Sequence, residues 1–181
     1  GVISPFKYFS MACALTQGYS LGCRDGVGGI KSVYFIEFDN VSGITESSGN
    51  ATAIAKANGG RFYKYNLQRA TGSWEESYND SAENGTSFHT QTLTIILNKM
   101  TASVSQEIKL LAQNRLIAVV ENKDGTFWLL GDESGLQRSG GRAGSGTAPG
   151  DRNGYELTFT ADNVDPAVTV ASGIIAGLIV P

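Results

Sequence analysis

Residues 91 to 131 constrain this chain most, because there a long apolar strand runs into a short helix and then a hairpin. In Gln91–Leu97, Leu93, Ile95 and Leu97 occupy one pleat face, and Thr92, Thr94 and Ile96 the other. β-Branched residues alternating at period two predict a strand with one face fully buried and the other partly so. Ser103 and Gln106 stand at capping-box spacing. Val104, Ile108 and Leu111 then recur at i, i+4 and i+7 as one narrow apolar stripe, and Asn114 is a stop. This predicts one principal helix near 103–114. A helix of about ten residues is marginal alone in water, so it must be held against a sheet. Leu116 to Val120, the turn Asn122-Lys123-Asp124-Gly125 and Phe127 to Leu130 predict a hairpin, since Asp-Gly between two apolar runs is a strong turn signal.

The flanking segments extend a mainly β reading. Residues 1 to 22 show neither a helical stripe nor alternation and read as an N-terminal arm. Arg24 to Gly29 is a glycine-rich loop, but a strand (Ser32 to Phe38) follows it and no lysine stands where a phosphate loop requires one. Both faces of that strand are apolar, which predicts burial on two sides. Asn40 to Gly60 reads as a long loop with a turn of helix at Ala53 to Ala57. Arg61 to Arg69 alternates, and Ala70 to Asn79 is expected to pair with it across a Thr71-Gly72 turn; Asn84-Gly85 is a second turn. Asp132 to Asn153, glycine-rich and nearly devoid of large apolar side chains, reads as a structureless loop that orders only on a neighbouring subunit. Tyr155, Leu157, Phe159 and Ala161 form the inner face of a further strand, and 167–181 supplies a C-terminal strand or arm. The expected organisation is one β-sandwich domain over 23–166.

Composition enters where it excludes functions. Charged residues are 17% of the 181, below the roughly 25% usual for soluble domains, which favours a surface partly buried in an assembly. The net charge of −3 gives no basic footprint for nucleic acid. Two cysteines (Cys13, Cys23) and one histidine (His89) are too few for a structural zinc site, and the thiols are read as free. The C-terminal run Val168 to Val180 is too short for a membrane span, which needs about 20 residues.

A search for catalytic residues ends without a site. His89 shares its strand face with Gln91 and Leu93, and no Gly-x-Ser-x-Gly elbow accompanies it. Glu75-Glu76 and Asp132-Glu133 are neighbours that point to opposite faces, so they read as solvated carboxylates, not dyads. Trp128 reads as core, and Trp74 is left open between core and a binding platform. Neither an enzyme activity, a cofactor nor a metal is expected.

The order and spacing of these pieces over about residues 30 to 166 resemble the tail-tube proteins of tailed bacteriophages, relatives of the inner-tube proteins of contractile injection systems. The likeness is carried by Gln91 to Leu97, Ser103 to Asn114 and Leu116 to Leu130 with Asp124-Gly125-Thr126-Phe127-Trp128-Leu129-Leu130-Gly131. It continues through the glycine-rich Gly144 to Gly150 and Asp151-Arg152-Asn153-Gly154-Tyr155-Glu156-Leu157-Thr158-Phe159. The resemblance implies a β-sandwich or half-barrel flanked by one helix, forming hexameric rings that stack into a hollow tube. It implies a virion structural role, with DNA passing the lumen without sequence-specific binding, other tail proteins as further partners, and assembly in the host bacterial cytoplasm. Arg138, Arg142, Arg152 and Asp151 are the expected intersubunit contacts, and the threonine face beside Leu93 and Ile95 would suit a wet lumen. Other virion roles (head completion, decoration, fibre base) and a carbohydrate-binding β-sandwich stay open as alternatives.

Overall fold

The computed structural model describes residues 15, 17–20, 27–68, 71–98 and 100–180. Cys13, Cys23, most of the expected N-terminal arm and the first part of the glycine-rich loop at 24–29 lie outside the described residues. The chain is mainly β. Its strands are β1 (Ile30–Glu37), β2 (Val41–Ser47), β3 (Asn50–Lys56), β4 (Tyr63–Asn66), β5 (Gly72–Ser81) and β6 (Thr86–Asn98), followed after the helix by β7 (Leu116–Asn122), β8 (Phe127–Leu130), β9 (Gln137–Gly144), β10 (Gly154–Asn163) and β11 (Val168–Val170). Helix α1 spans Ala102–Gln113, and a one-turn helix α2 spans Ile175–Leu178. One sheet runs β2-β3-β11-β8-β7-β1-β4 and the other β5-β6-β10-β9.

The sheets share a core. Val33 and Phe35 of β1, Ala118 and Val120 of β7, Leu93 and Ile95 of β6, and Leu157 and Phe159 of β10 pack together with Ile108 and Leu111 of α1. The Phe35 ring lies 5.4 Å from Phe159 and meets Tyr65 edge-on at 5.3 Å. The opposite faces of β1 and β7 are buried as well. Tyr34, Ile36, Ile117 and Val119 are covered by Phe62, Ile54, Val170, Ile175 and Leu178. The two-sided burial read from the apolar runs therefore has two different covers: the second sheet on one face, and the C-terminal segment with β3 on the other.

Four expectations are corrected. Residues 41–56 are not a loop with a helical turn but the hairpin of β2 and β3. Its turn places Ser48 and Gly49 at φ 51° and 76°, the paired positive φ of a tight hairpin turn. Only Ala51 and Ile54 of the pair are buried, so little alternation was there to see. Residues 61–79 do not pair as a hairpin either. β4 lies on β1 in the first sheet, while β5 lies on β6 in the second, and the chain crosses between them through Leu67 N–H to Lys31 O and Ile96 N–H to Thr71 O. The cap of α1 is Thr101, whose hydroxyl accepts from Val104 N, rather than Ser103. The long 132–153 stretch is not structureless, because Gln137–Gly144 forms strand β9 on β10 of the same chain. Apolar periodicity could not reveal β9, since every residue in it is exposed.

Gly154 opens β10 opposite Asn98, where an added Cβ would strike the Leu97 carbonyl oxygen and the Asn98 backbone; Gly150, in the β9–β10 loop, has no atom within 4 Å of that position. Gly154→Ala should destabilise the protein by about 1–3 kcal/mol through overpacking against backbone. Gly150→Ala should stay within about 0.5 kcal/mol of the wild type. Urea unfolding of the two variants checks the contrast, and equal losses would contradict it.

Candidate subunit interface

Among the described residues nothing pairs with the outer sides of β5 and β9, the edge strands of the four-stranded sheet. Such edges present rows of unpaired backbone groups. β9 starts where Leu136 bridges to Leu116, and it follows β10 with one irregularity at Ser139. Gly140, Gly141 and Gly144 leave the strand nearly bare, which lets another backbone come close. Arg138 and Arg142 make this edge basic, while the far edge, β5, carries Glu75, Glu76 and Asp80.

The structure brings three of the four expected contact residues together within the β9–β10 hairpin. Arg142 Nε lies 3.4 Å and Arg152 Nη1 3.9 Å from Glu156 Oε2. The Asp151 carboxylate accepts from Ala148 N at 2.8 Å and Thr147 N at 3.0 Å. Those backbone donors, Ala148 first, hold its carboxyl below the usual carboxylate range. Arg142, Arg152 and Asp151 are thus engaged within their own hairpin. Arg138 is set apart, lining an open pocket with Ile108, Tyr155 and Leu157. Exposed ion pairs of this kind contribute at most about 1 kcal/mol, so the arginines can change partners at little cost.

The solvent face of this sheet is hydroxylated and acidic. Thr90, Thr92 and Thr94 of β6 stand opposite Asp162, Thr160 and Thr158 of β10 on one side and Ser77, Glu75 and Ser73 of β5 on the other. The Thr90 hydroxyl accepts from Asn79 Nδ2 at 3.1 Å and donates to Asp162 Oδ1 at 2.9 Å. Glu75, Glu156 and Asp162 lie on this face against Arg142 and Arg152, which both meet Glu156, leaving one negative charge in balance. The threonine row of β6 was readable in the sequence; its doubling by Thr158 and Thr160 was not, because only register places them side by side.

One end of the sandwich interior is polar. Gln91, fully buried, accepts from Gly131 N at 2.9 Å and donates to Glu76 Oε2 at 3.1 Å, and the same Glu76 oxygen accepts from Ala167 N. Asn163 Nδ2 donates to Asp132 Oδ1 at 3.0 Å, and Glu133 accepts from Val164 N and Asp165 N. Glu76 and Asp132 are therefore half-buried structural acceptors, not the solvated carboxylates that the sequence suggested, whereas Glu75 and Glu133 are exposed as expected. His89 packs edge-on against Tyr78 at 4.9 Å, with Tyr78 and Asn163 as its cross-strand neighbours. Burial, then repulsion from Glu133 and Glu46, pushes Asp132 up to about 6, against opposing hydrogen bonds from its own backbone and Asn163. Trp74 packs against Trp128 at 5.3 Å and donates to Asn122 Oδ1, so the open question on Trp74 resolves to packing.

Among the described residues, no group of three or more His, Cys, Asp or Glu is placed to hold a metal ion. No described helix is long and apolar enough to cross a membrane. No protein family, curated protein or solved structure matches the chain.

The Asp132 environment fixes the sign of a pH effect. Its folded pKa, about 6, lies above the ordinary 3.8. Its contribution to stability is thus fully present below about pH 4 and is lost as the pH rises through 6. The difference is worth at most about 3 kcal/mol, and screening on its solvent-facing side reduces the expected gain to about 1 kcal/mol. Asp132→Asn should remove that gain on acidification from roughly pH 7.5 to 4.5, and unfolding curves of both proteins across this range check it. Parallel pH profiles would contradict the assignment.

Proposed function

We propose that the protein is a tail-tube subunit of a tailed bacteriophage, a virion structural protein whose rings stack into the conduit for DNA, acting without catalysis, cofactor or metal. The observation that carries this reading is the pair of open edges on one sheet, basic β9 at one side and acidic β5 at the other. An edge that complements the opposite edge of an identical copy makes a head-to-tail contact, and such contacts generate closed rings when the rotation closes. Joined this way, the four-stranded sheets become one continuous barrel wall with no unpaired edge. Arg142 of β9 exchanges Glu156 for Glu75 on the neighbour's β5.

The same sheet supplies the lumen. Its threonines hold water, and the negative balance of Glu75, Glu156, Asp162, Arg142 and Arg152 repels phosphates, so DNA slides past without adhering. The assembled tube belongs to the virion tail, built in the bacterial cytoplasm and joined at its ends by other tail proteins.

Charge reversal tests the edge pairing. Arg142→Glu should leave a folded monomer that makes no rings, and Glu75→Arg, at an exposed position, should do the same. The protein carrying both changes should recover rings under electron microscopy, because each edge again meets its opposite. Failure of the double variant, with its monomer folded, would reject β9–β5 pairing; wild-type protein that forms no rings at all would reject the tube role.

A further inference from the structure

Neighbouring strands of the four-stranded sheet are antiparallel throughout, so its two edges, β5 and β9, run in opposite directions. Copies related by rotation about an axis roughly along the strands keep their strand directions. β9 therefore meets the neighbour's β5 antiparallel. The faces must match as well. Arg142 and Gly140 lie on the threonine face with Ser73, Glu75 and Ser77, through the rows Arg142–Glu156–Ile96 and Gly140–Thr158–Thr94–Ser73. A slip of one residue would turn every side chain to the other face, so only even staggers fit. The backbone agrees with this. Ile96 N–H donates to Thr71 O, so threonine-face residues of β6 bond toward β5. Antiparallel alternation then directs the free backbone groups of Gly141 and Ala143 to one outer edge, and those of Trp74 and Glu76 to the other.

Barrel geometry selects among the even staggers. An L-residue whose side chain faces the viewer on an ascending strand points its N–H and C=O to the right. Seen from the threonine face with β6 ascending, β5 thus lies to the right of β6. From outside the barrel the order from left to right is β5, β6, β10, β9. The right-handed twist of strands makes barrel strands lean to the right in that view. A row of paired residues therefore descends as it crosses to the next copy. It reaches β5 there further along the chain than where it left. Staggers of two, four or six residues per four strands correspond to tilts of about 19°, 35° and 46°, at roughly 3.3 Å rise and 4.8 Å spacing. Barrel strands tilt by about 35–45°. Counted from the row Glu75–Thr92–Thr160–Gln137, these staggers set Arg142 opposite Ser73, Glu75 and Ser77 respectively. At two the barrel is too steep-walled, and at six Glu75 meets Gly144. Only four satisfies both tilt and charge.

We propose that β9 joins β5 of a second copy antiparallel in one register, with Arg142 opposite Glu75, Gly141 opposite Glu76 and Ala143 opposite Trp74, so that barrel strands tilt by about 35°. The inference rests on the ring reading above. Gly141–Glu76 and Ala143–Trp74 are then the hydrogen-bonded pairs. Arg142–Glu75, Gly140–Ser77 and Gly144–Ser73 are non-hydrogen-bonded pairs, whose side chains stand closer. Arg138, on the Phe159 row, comes level with the neighbour's Tyr78, whose 66% exposed ring gains a guanidinium cover.

Cysteine pairs test the register. Non-hydrogen-bonded pairs hold Cα atoms about 4.5 Å apart, within reach of a disulfide. Gly140, Gly144, Ser73 and Ser77 are exposed, and the Cβ position of both glycines is open space. Within one chain β6 and β10 separate β9 from β5 by roughly 14 Å, so any bridge between those strands joins two copies. Under mild oxidation Gly140→Cys with Ser77→Cys should link chains into ladders on non-reducing gels, and so should Gly144→Cys with Ser73→Cys. Mass spectrometry of the bridged peptides confirms the partners. Gly140→Cys with Ser73→Cys, level only without stagger, should give about tenfold less product or none, since cysteines held apart are not bridged. Rings in micrographs with this last pair bridged in place of the other two overturn the register and leave the ring reading standing. The expected bridges in open filaments, with no rings, sink the ring reading and leave the pairing standing. No bridge in any of the three variants overturns the proposal.

Discussion

The burial of β1 and β7 on both faces is the constraint on which the rest of the structure depends. Val33 and Phe35 face the second sheet, while Tyr34 and Ile36 face the C-terminal cover. Each such side chain contributes about 1.5–3 kcal/mol when fully removed from water, so neither face can be left open. One cover is the β5-β6-β10-β9 sheet with α1. The other is assembled late in the chain, when β11 slots between β3 and β8 and α2 closes over Phe62. Lys56 reinforces that closure, its ammonium donating to the carbonyls of Gly177, Leu178 and Val180.

A polar seam fixes how the two covers meet. Gln91 has no solvent access, and an unsatisfied buried amide costs about 1–3 kcal/mol. Its two bonds, from Gly131 N and to Glu76, tie the second sheet to the turn after β8. Gly131 has φ 76°, and a Cβ there would meet Leu136 N at 2.8 Å, so that turn requires glycine. From it the chain enters β9, and the seam thereby sets the position of the basic edge. Core packing and the proposed interface are linked through one amide.

The edges create the opposite problem. Among the described residues, β5 and β9 satisfy one side of their backbone and leave the other open. A monomer that keeps two long edges free is prone to pairing, and charge of opposite sign on the two edges restricts that pairing to head-to-tail. The hydroxylated, acidic face between the edges contains little apolar surface beyond Ile96 and, past the end of β10, Phe88, so it is suited to water rather than to a second protein layer.

The sequence by itself determined the elements whose side chains alternate or repeat against a core. β1, β6, α1, the β7–β8 hairpin and β10 were readable because burial forces an apolar period on them, seen in Leu93 and Ile95 or Ile108 and Leu111. The resemblance carried by these same elements supplied the functional expectation. Tertiary structure alone decided the rest. β9 is exposed along its length and exists because β10 offers it an edge, not because its residues prefer a strand. β2 and β3 bury only Ala51 and Ile54, and β4 and β5, adjacent in sequence, lie in different sheets. The candidate site divided likewise. Three arginines and an aspartate stood out as charges in a glycine-rich stretch, but the partners of Arg142, Arg152 and Asp151, namely Glu156 and the amides of Thr147 and Ala148, follow from hairpin register. Periodicity records contact with a core; it carries no trace of a strand held only by backbone hydrogen bonds, nor of which edge faces which.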